Sequence, residues 1–263
     1  MNELALFAVA GGGILGGKLL GWRTVCAVEI DSYARRVLLA RQADGCLDLF
    51  PIWDDVTTFN GNEWRGVVDV VSGGFPCQDI SVAGKGAGLD GERSGLWAEM
   101  ARIVGEVQPA FVWVENSPML LVRGIDRVLW DLAALGYDAR WGVVGACHAG
   151  ADHERERIWV AANAKKATAR PQDISPRHLQ NESRGMVWHP LAAPDWEQVR
   201  PEPRRMDDGV ADWVDRLGCC GNGQVPAVVR LAWNTLAGGC EVNMPNDKAH
   251  QREATVCRDW LYQ

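Results

Sequence analysis

Apolar residues follow two rhythms along the first 160 positions. Leu4 to Val9, Thr24 to Ile30, Val67 to Ser72 and Ala110 to Glu115 are short runs rich in Val, Leu and Phe with no polar alternation. That is the pattern of strands buried on both faces. Between them, Asp31 to Ala43, Ser94 to Val107 and Asp126 to Leu135 carry apolar residues at helical spacing. The first and third helices begin behind an Asp and the second behind a Ser, side chains that can cap a helix start. The alternation predicts a βαβ series, and a hairpin-like pair, Ala139 to Ala146 and Arg157 to Ala162, is expected to close the sheet. The fold class is therefore α/β, with a doubly wound, mostly parallel sheet.

The pattern breaks at Ala164. Six of the twelve prolines and eight Lys or Arg against five Asp or Glu fall between 164 and 205, and no helix or strand period runs through the segment. Such a stretch fits a small extended lobe or a long functional loop, and equally a flexible insertion. Its charge of +3 leaves −10 on the remainder of a chain that carries −7 overall, so any binding of a polyanion must be local. Apolar periodicity resumes after Asp207-Asp208-Gly209, and Ala227 to Leu236 behind Pro226 reads as a helix with Pro in its first turn. The expected organisation is a main domain over 1–163, the lobe over 164–206, a return to the main domain over 207–240 and a polar tail over 241–263.

Composition narrows the class further. No run of 18 apolar residues occurs and Met1-Asn2-Glu3 lacks a basic signal-peptide start, which predicts a soluble, cytoplasmic protein without a membrane role. The eight Cys form no CxxC pair and read as thiols. Cys147, His148 and His153, with Cys219-Cys220 far along the chain, lack the usual ligand spacing of zinc, so no metal is expected.

Four segments carry candidate chemistry. The turn Gly11-Gly12-Gly13-Ile14-Leu15-Gly16 satisfies GxGxxG, with Glu29 and Asp31 about twenty residues on. Glycines admit close backbone approach of a nucleoside ligand and a strand-end carboxylate accepts ribose hydroxyls, which suits a dinucleotide and S-adenosylmethionine (AdoMet) equally. Asp55-Val56 stands near the end of a third strand, on the adenine side of the same site. The run Val71 to Ser81 breaks from a strand into a Gly/Pro loop with Cys77 at its tip, a nucleophile position or a buried structural thiol. One strand later Glu115-Asn116 puts a carboxylate at the same sheet edge, either solvated or paired with Cys77 as a proton donor. Arg155 and Arg157 alternate at the start of an extended strand and should point together, or bridge to Glu154 and Glu156. Gly221-Asn222-Gly223-Gln224-Val225-Pro226 is a turn that opens the last helix and could return Asn222 to the ligand.

In this order the segments resemble the motif series of the C5-cytosine DNA methyltransferases, from Leu6 to about Leu236. Phe7 to Gly12 is similar to that family's F-x-G-x-G cofactor loop, Glu29-Ile30 to its ribose and adenine contact, and Asp55 to its adenine-side acid. Gly74-Phe75-Pro76-Cys77-Gln78 is similar to the nucleophile loop, Glu115-Asn116 to the start of Glu-Asn-Val, His153 to Arg157 to Q-x-R-x-R, and Gly221-Asn222 to the last motif. Three positions depart: Val9 stands for the first loop Gly, Ser117 for Val and His153 for Gln. The resemblance implies a Rossmann-like fold with 164–206 as target-recognition lobe. It implies AdoMet bound by Phe7, Ala8, Gly11, Gly12, Glu29, Ile30, Asp55, Val56, Pro76, Asn222 and Val225, with S-adenosylhomocysteine as product. Cys77, Glu115, Arg155 and Arg157 are the implied catalytic residues and double-stranded DNA the implied partner. A monomer of bacterial or bacteriophage type is expected, with a cognate restriction endonuclease as a candidate partner. A nicotinamide-dependent oxidoreductase would explain GxGxxG alone, and an RNA methyltransferase would be expected to carry a Cys-Phe-Thr marker that is absent here. A non-catalytic DNA-binding relative is the alternative that Val9 suggests.

Overall fold

The computed structural model describes residues 1–76, 95–165, 215 and 218–237. Its frame is a seven-stranded sheet: β1 (Asn2–Leu6), β2 (Arg23–Val28), β3 (Ile52–Trp53), β4 (Val70–Gly73), β5 (Phe111–Asn116), β6 (Tyr137–Val144) and β7 (Arg157–Ala164). The spatial order is β3-β2-β1-β4-β5-β7-β6. The first five strands pair in parallel, while β7 runs antiparallel to both β5 and β6. The expected hairpin therefore does close the sheet. Strand order reverses between β1 and β4, which opens a crevice at their carboxyl ends.

Helices cover both faces. On one side α3 (Leu96–Val107) and α5 (Ile125–Ala134) bury Trp97, Met100, Ile103, Val104, Val107, Val128 and Leu132 against Leu4, Leu6, Val71, Val112 and Val114. On the other lie α1 (Gly12–Leu19), α2 (Ser32–Ala43) and the last helix, here α6 (Pro226–Leu236). Alternate strand residues face opposite layers, so Trp113 and Trp159 pack under α6 while their neighbours Val114 and Val160 join the α3/α5 core. A short helix α4 (Leu120–Arg123) follows β5.

Several helix ends obey the expected local chemistry and some do not. Asp31 caps α2 by accepting the Ala34 N–H at 2.8 Å, and Pro226 occupies the first turn of α6. α5 instead starts at Ile125 behind Gly124, which leaves Asp126 in the first turn, where its charge still favours the helix dipole. Ser94, the expected cap of α3, lies outside the described residues. The larger difference is in 11–16: the glycines do not form a turn throughout, because the helix α1 already begins at Gly12. Their smallness serves packing as much as ligand approach. A Cβ on Gly16 would lie 2.5 Å from Cβ of Val229 in α6.

The segment 166–206, the acting tip of the 71–81 loop from Cys77 onward and the tail from 238 lie outside the described residues. Among the described residues no helix is long and apolar enough to cross a membrane, and no group of three His, Cys, Asp or Glu could hold a metal ion.

Candidate active site

The site grows from the carboxyl ends of β1, β2, β4 and β5. After Leu6 the chain turns through left-handed backbone at Phe7 (φ 53), Val9 (φ 48) and Gly11 (φ 89) before α1 starts. Each turn of this path has a fastening. The Ala8 N–H donates to the Val28 carbonyl at 3.1 Å, and the Gly11 N–H donates to the Ala8 carbonyl at 2.9 Å. The Val9 N–H donates to Oε2 of Glu29 at 2.6 Å, and Oε1 of the same carboxyl accepts the Asp31 N–H at 2.8 Å. Burial holds the Glu29 pKa above the ordinary carboxylate value, against the pull of these two N–H donors. Glycine is the residue for which left-handed backbone is free, so Val9 follows a glycine path with a β-branched side chain.

The loop forms one wall of a cleft lined by Leu6, Phe7, Ala8, Val9, Gly13, Gly74, Asn222 and Gln224 among others. Val9 is thus one of the residues that line the cleft. Ile30 is exposed just after β2, and Asp55 is half-buried just after β3. Asp55 caps a 3-10 turn over Val56–Thr58, accepting the Thr57 N–H and hydroxyl on Oδ1, and those bonds hold its pKa below the usual value. Three of the expected cofactor contacts also take part in packing. Val56 is buried in the core, Gly11 faces Leu38 and Leu47, and Val225 caps α6 against the Trp113 layer. Gly12 is closed off as well: a Cβ there would stand 2.1 Å from the Gln224 carbonyl oxygen.

Beside the cleft, β5 ends in Glu115 and Asn116, both buried. Asn116 donates from Nδ2 to the Phe75 carbonyl at 3.0 Å, which fastens the base of the loop that continues through Pro76 to Cys77. Oε1 of Glu115 meets Nε of Arg157, at the start of β7, at 2.9 Å. Burial pushes the Glu115 carboxyl up to about 7, while Arg157 and then Arg155 pull it down. A group poised near neutrality can give and recover a proton at working pH.

The two arginines do not act as a matched pair. Arg155 has φ 33 and precedes β7, so strand alternation does not govern it. Its guanidinium donates to the carbonyls of Gly221, at 2.9 Å, and Gly223. It therefore anchors the 221–225 turn, while Arg157 holds the acid. Sequence reasoning missed Gln224, whose amide lies between Glu115 and the first turn of α1. The available signal was a polar side chain amid glycines, two residues beyond Asn222.

Comparison with known proteins gives these features a lineage. The family model for C-5 cytosine-specific DNA methylase matches residues 1–206. The chain is 30% identical over 216 residues to the Type II methyltransferase M.CviJI of Paramecium bursaria Chlorella virus IL3A, covering 82% of this chain and 54% of that protein. It is 39% identical over 136 residues to M.PspPI of Psychrobacter sp., covering 50% and 32%. The chain thus spans about a third to a half of the length of these relatives. Among solved structures, one described as a DNA modification methyltransferase of an Escherichia coli prophage aligns with a TM-score of 0.52 at 26% identity, over 62% of this chain and 47% of that one. The Entamoeba histolytica methyltransferase EhMeth shares the fold at a TM-score of 0.57 and 10% identity, over 78% and 61%. With 206 of its 263 residues matched by the model, this chain belongs to the C-5 cytosine-specific DNA methylase family.

Proposed function

We propose that this chain transfers a methyl group from AdoMet to C5 of cytosine in double-stranded DNA. The observation that carries the reading is the buried Glu115 carboxyl, paired to Arg157 and set between the glycine-walled cleft and the base of the Cys77 loop. Two features support the cofactor there: the left-handed turn from Phe7 to Gly11 lies at the cleft wall, and the Glu29 carboxyl keeps lone pairs for ribose hydroxyls. Bound there, AdoMet supplies the electrophilic methyl group.

The remaining chemistry belongs to the chain and the base. Cytosine must leave the duplex stack to expose C6 and C5. The Cys77 thiolate then forms a C–S bond at C6 as Glu115 gives its proton to N3, so ring electron density moves onto C5. After C5 has taken the methyl, loss of the C5 proton and return of the N3 proton to Glu115 re-form the ring double bond and break the C–S bond. Arg157 keeps the acid oriented through this cycle and Arg155 holds the turn bearing Asn222. The basic 164–206 segment supplies phosphate contacts on this reading. On the same reading a cognate restriction endonuclease is a candidate partner, and the chain acts as a monomer in the cytoplasm of a bacterial or phage-infected cell.

The test is incubation of mixed-sequence DNA with AdoMet and mapping of 5-methylcytosine, with Cys77→Ser as control. Wild type should methylate and the variant should not, while keeping AdoMet and DNA binding, because a serine hydroxyl cannot ionise enough to add to C6. DNA with 5-fluorocytosine at the mapped site should trap wild type covalently. Turnover by Cys77→Ser would refute the mechanism. A second reading, a DNA-binding relative with lost activity, is favoured by the strained Val9 in the cleft and predicts no AdoMet binding.

A further inference from the structure

Glu115 presents two unlike oxygens. Oε1 is taken by Nε of Arg157 at 2.9 Å, a charge-assisted contact that favours the ionised oxygen there. Oε2 lies toward Gly74, where a Cβ would come within 2.5 Å of it, and toward Gln224, whose Nε2 stands 3.5 Å away. The same amide reaches in the other direction: its Oε1 is 2.7 Å from where a Cβ of Gly13 would be, in the first turn of α1. Glycine at 13 and at 74 is what leaves room for it. Gln224 is therefore wedged between the wall of the cofactor cleft and the acid.

We propose that Gln224 is a positioning residue for Glu115: it fixes Oε2 as the oxygen presented to the base and ties that carboxyl to the first turn of α1. The proposal rests on the cytosine-methylating reading above. Arg157 reserves Oε1, so the transferable proton sits on Oε2. The amide N–H takes one lone pair of Oε2 and leaves the other direction for the proton that passes to N3 and returns. A neutral donor is the suitable one, since a second cation in contact with the carboxyl would hold it ionised and unable to donate. The 3.5 Å separation is that of a resting site, in which catalytic hydrogen bonds are long and tighten when substrate seats. Among the described residues the charged groups facing Glu115 are Arg157 and Arg155; the segment just after β4 brings Gly74, and the 221–225 segment brings the neutral Gln224.

Gln224→Met keeps length and bulk and removes the donor, and Gln224→Glu replaces it with a like charge. AdoMet affinity of Gln224→Met by calorimetry should stay within about threefold of wild type, while single-turnover methylation at saturating AdoMet slows at least tenfold. Loss of a donor to the ionised form raises the acid's midpoint, so the fall in rate on the alkaline side should move to higher pH in Gln224→Met and further in Gln224→Glu. A titration of the 13C-labelled Glu115 carboxyl without DNA, assigned with Glu115→Gln, should show the same order of midpoints. An unmoved midpoint in Gln224→Met, or a rate loss accounted for by weaker AdoMet binding, overturns the proposal. Should wild type methylate no DNA, the functional reading falls and the carbon titration still decides whether Gln224 touches the acid.

Discussion

Val9→Gly should make this protein more stable, and its effect on AdoMet binding should separate backbone strain from crowding of the cleft. Val9 holds φ 48, a left-handed conformation in which Cβ of an L-residue crowds the neighbouring carbonyl. For a β-branched residue the cost is about 1–3 kcal/mol. Glycine escapes it but loses about 0.5–1 kcal/mol more chain entropy on folding. The difference favours Gly by up to about 2.5 kcal/mol, read as about 2–4 °C in Tm for each kcal/mol in a domain of this size. The loop's fastenings, Val9 N–H to Glu29 and Ala8 N–H to Val28, use backbone donors and survive the substitution. Strain present with and without AdoMet cancels from the affinity. A tighter Kd would come instead from removing the isopropyl group that lines the cleft, and about 1 kcal/mol there is roughly fivefold. Differential scanning calorimetry and isothermal titration of both forms measure the two effects independently. A Val9→Gly protein that melts at or below wild type would refute the strain argument, and an unchanged or weaker Kd would refute the crowding argument.

Glu115→Gln should slow single-turnover methylation by about 100- to 10,000-fold with little change in AdoMet affinity; a collapse of affinity with an unchanged rate would move Glu115 to the cofactor site. Because burial raises the Glu115 pKa to about 7 and its proton is the one donated, the wild-type rate should fall as pH rises through about 7, and a flat profile there would contradict that role. Gly16→Ala forces a Cβ to within 2.5 Å of Val229 and should cost about 1–3 kcal/mol, seen as a Tm lower by several degrees. Glu3, buried and pushed up to about 7, binds more protons folded than unfolded between its ordinary value and 7, so it weakens stability as pH rises across that window. Glu3→Gln should flatten this loss, and a Tm gain no larger at pH 8 than at pH 5 would count against it.

The sheet and most of its helices were legible because local periodicity reports burial. The runs at 24–30 and 110–115 and the hairpin-like pair expected over 139–146 and 157–162 all form strands within a few residues of expectation. What failed was contact between distant segments. Val67 was expected to open a strand, yet it sits half-exposed in a turn closed by the Trp64 carbonyl, and β4 waits until Val70. Gly12 to Gly16 read as turn because glycine is rare in helices, and only the nearness of Val229 and Gln224 shows why a helix there needs small residues. The ordering of motifs located the acid beside the cofactor loop. It could not say that Arg155 would reach Gly221 and Gly223, since an irregular φ of 33 before β7 undoes the two-residue alternation.

On the proposed reading, Glu3 and Glu115 show what distinguishes a working carboxyl from a structural one when depth is the same. Both are buried, and in both burial lifts the pKa to about 7. Glu3 lies at the amino end of β1, where Oε1 accepts the Ser72 hydroxyl at 2.6 Å and Oε2 the Thr24 hydroxyl at 2.7 Å, with Gly17 of α1 closing over it. Its donors are neutral and one sits on each oxygen, so it serves as a polar rung across β2, β1 and β4, and its proton has no outlet. Glu115 lies at a strand end, with a cation on one oxygen and only a long amide contact on the other. That asymmetry leaves one oxygen free to exchange a proton while the guanidinium stabilises the charge left behind. Which end of its strand the acid occupies therefore matters more than the shift itself: neighbours on β2, β4 and α1 seal the acid at the amino end of β1, whereas the carboxyl edge of a parallel sheet is where such folds leave a side open to a ligand.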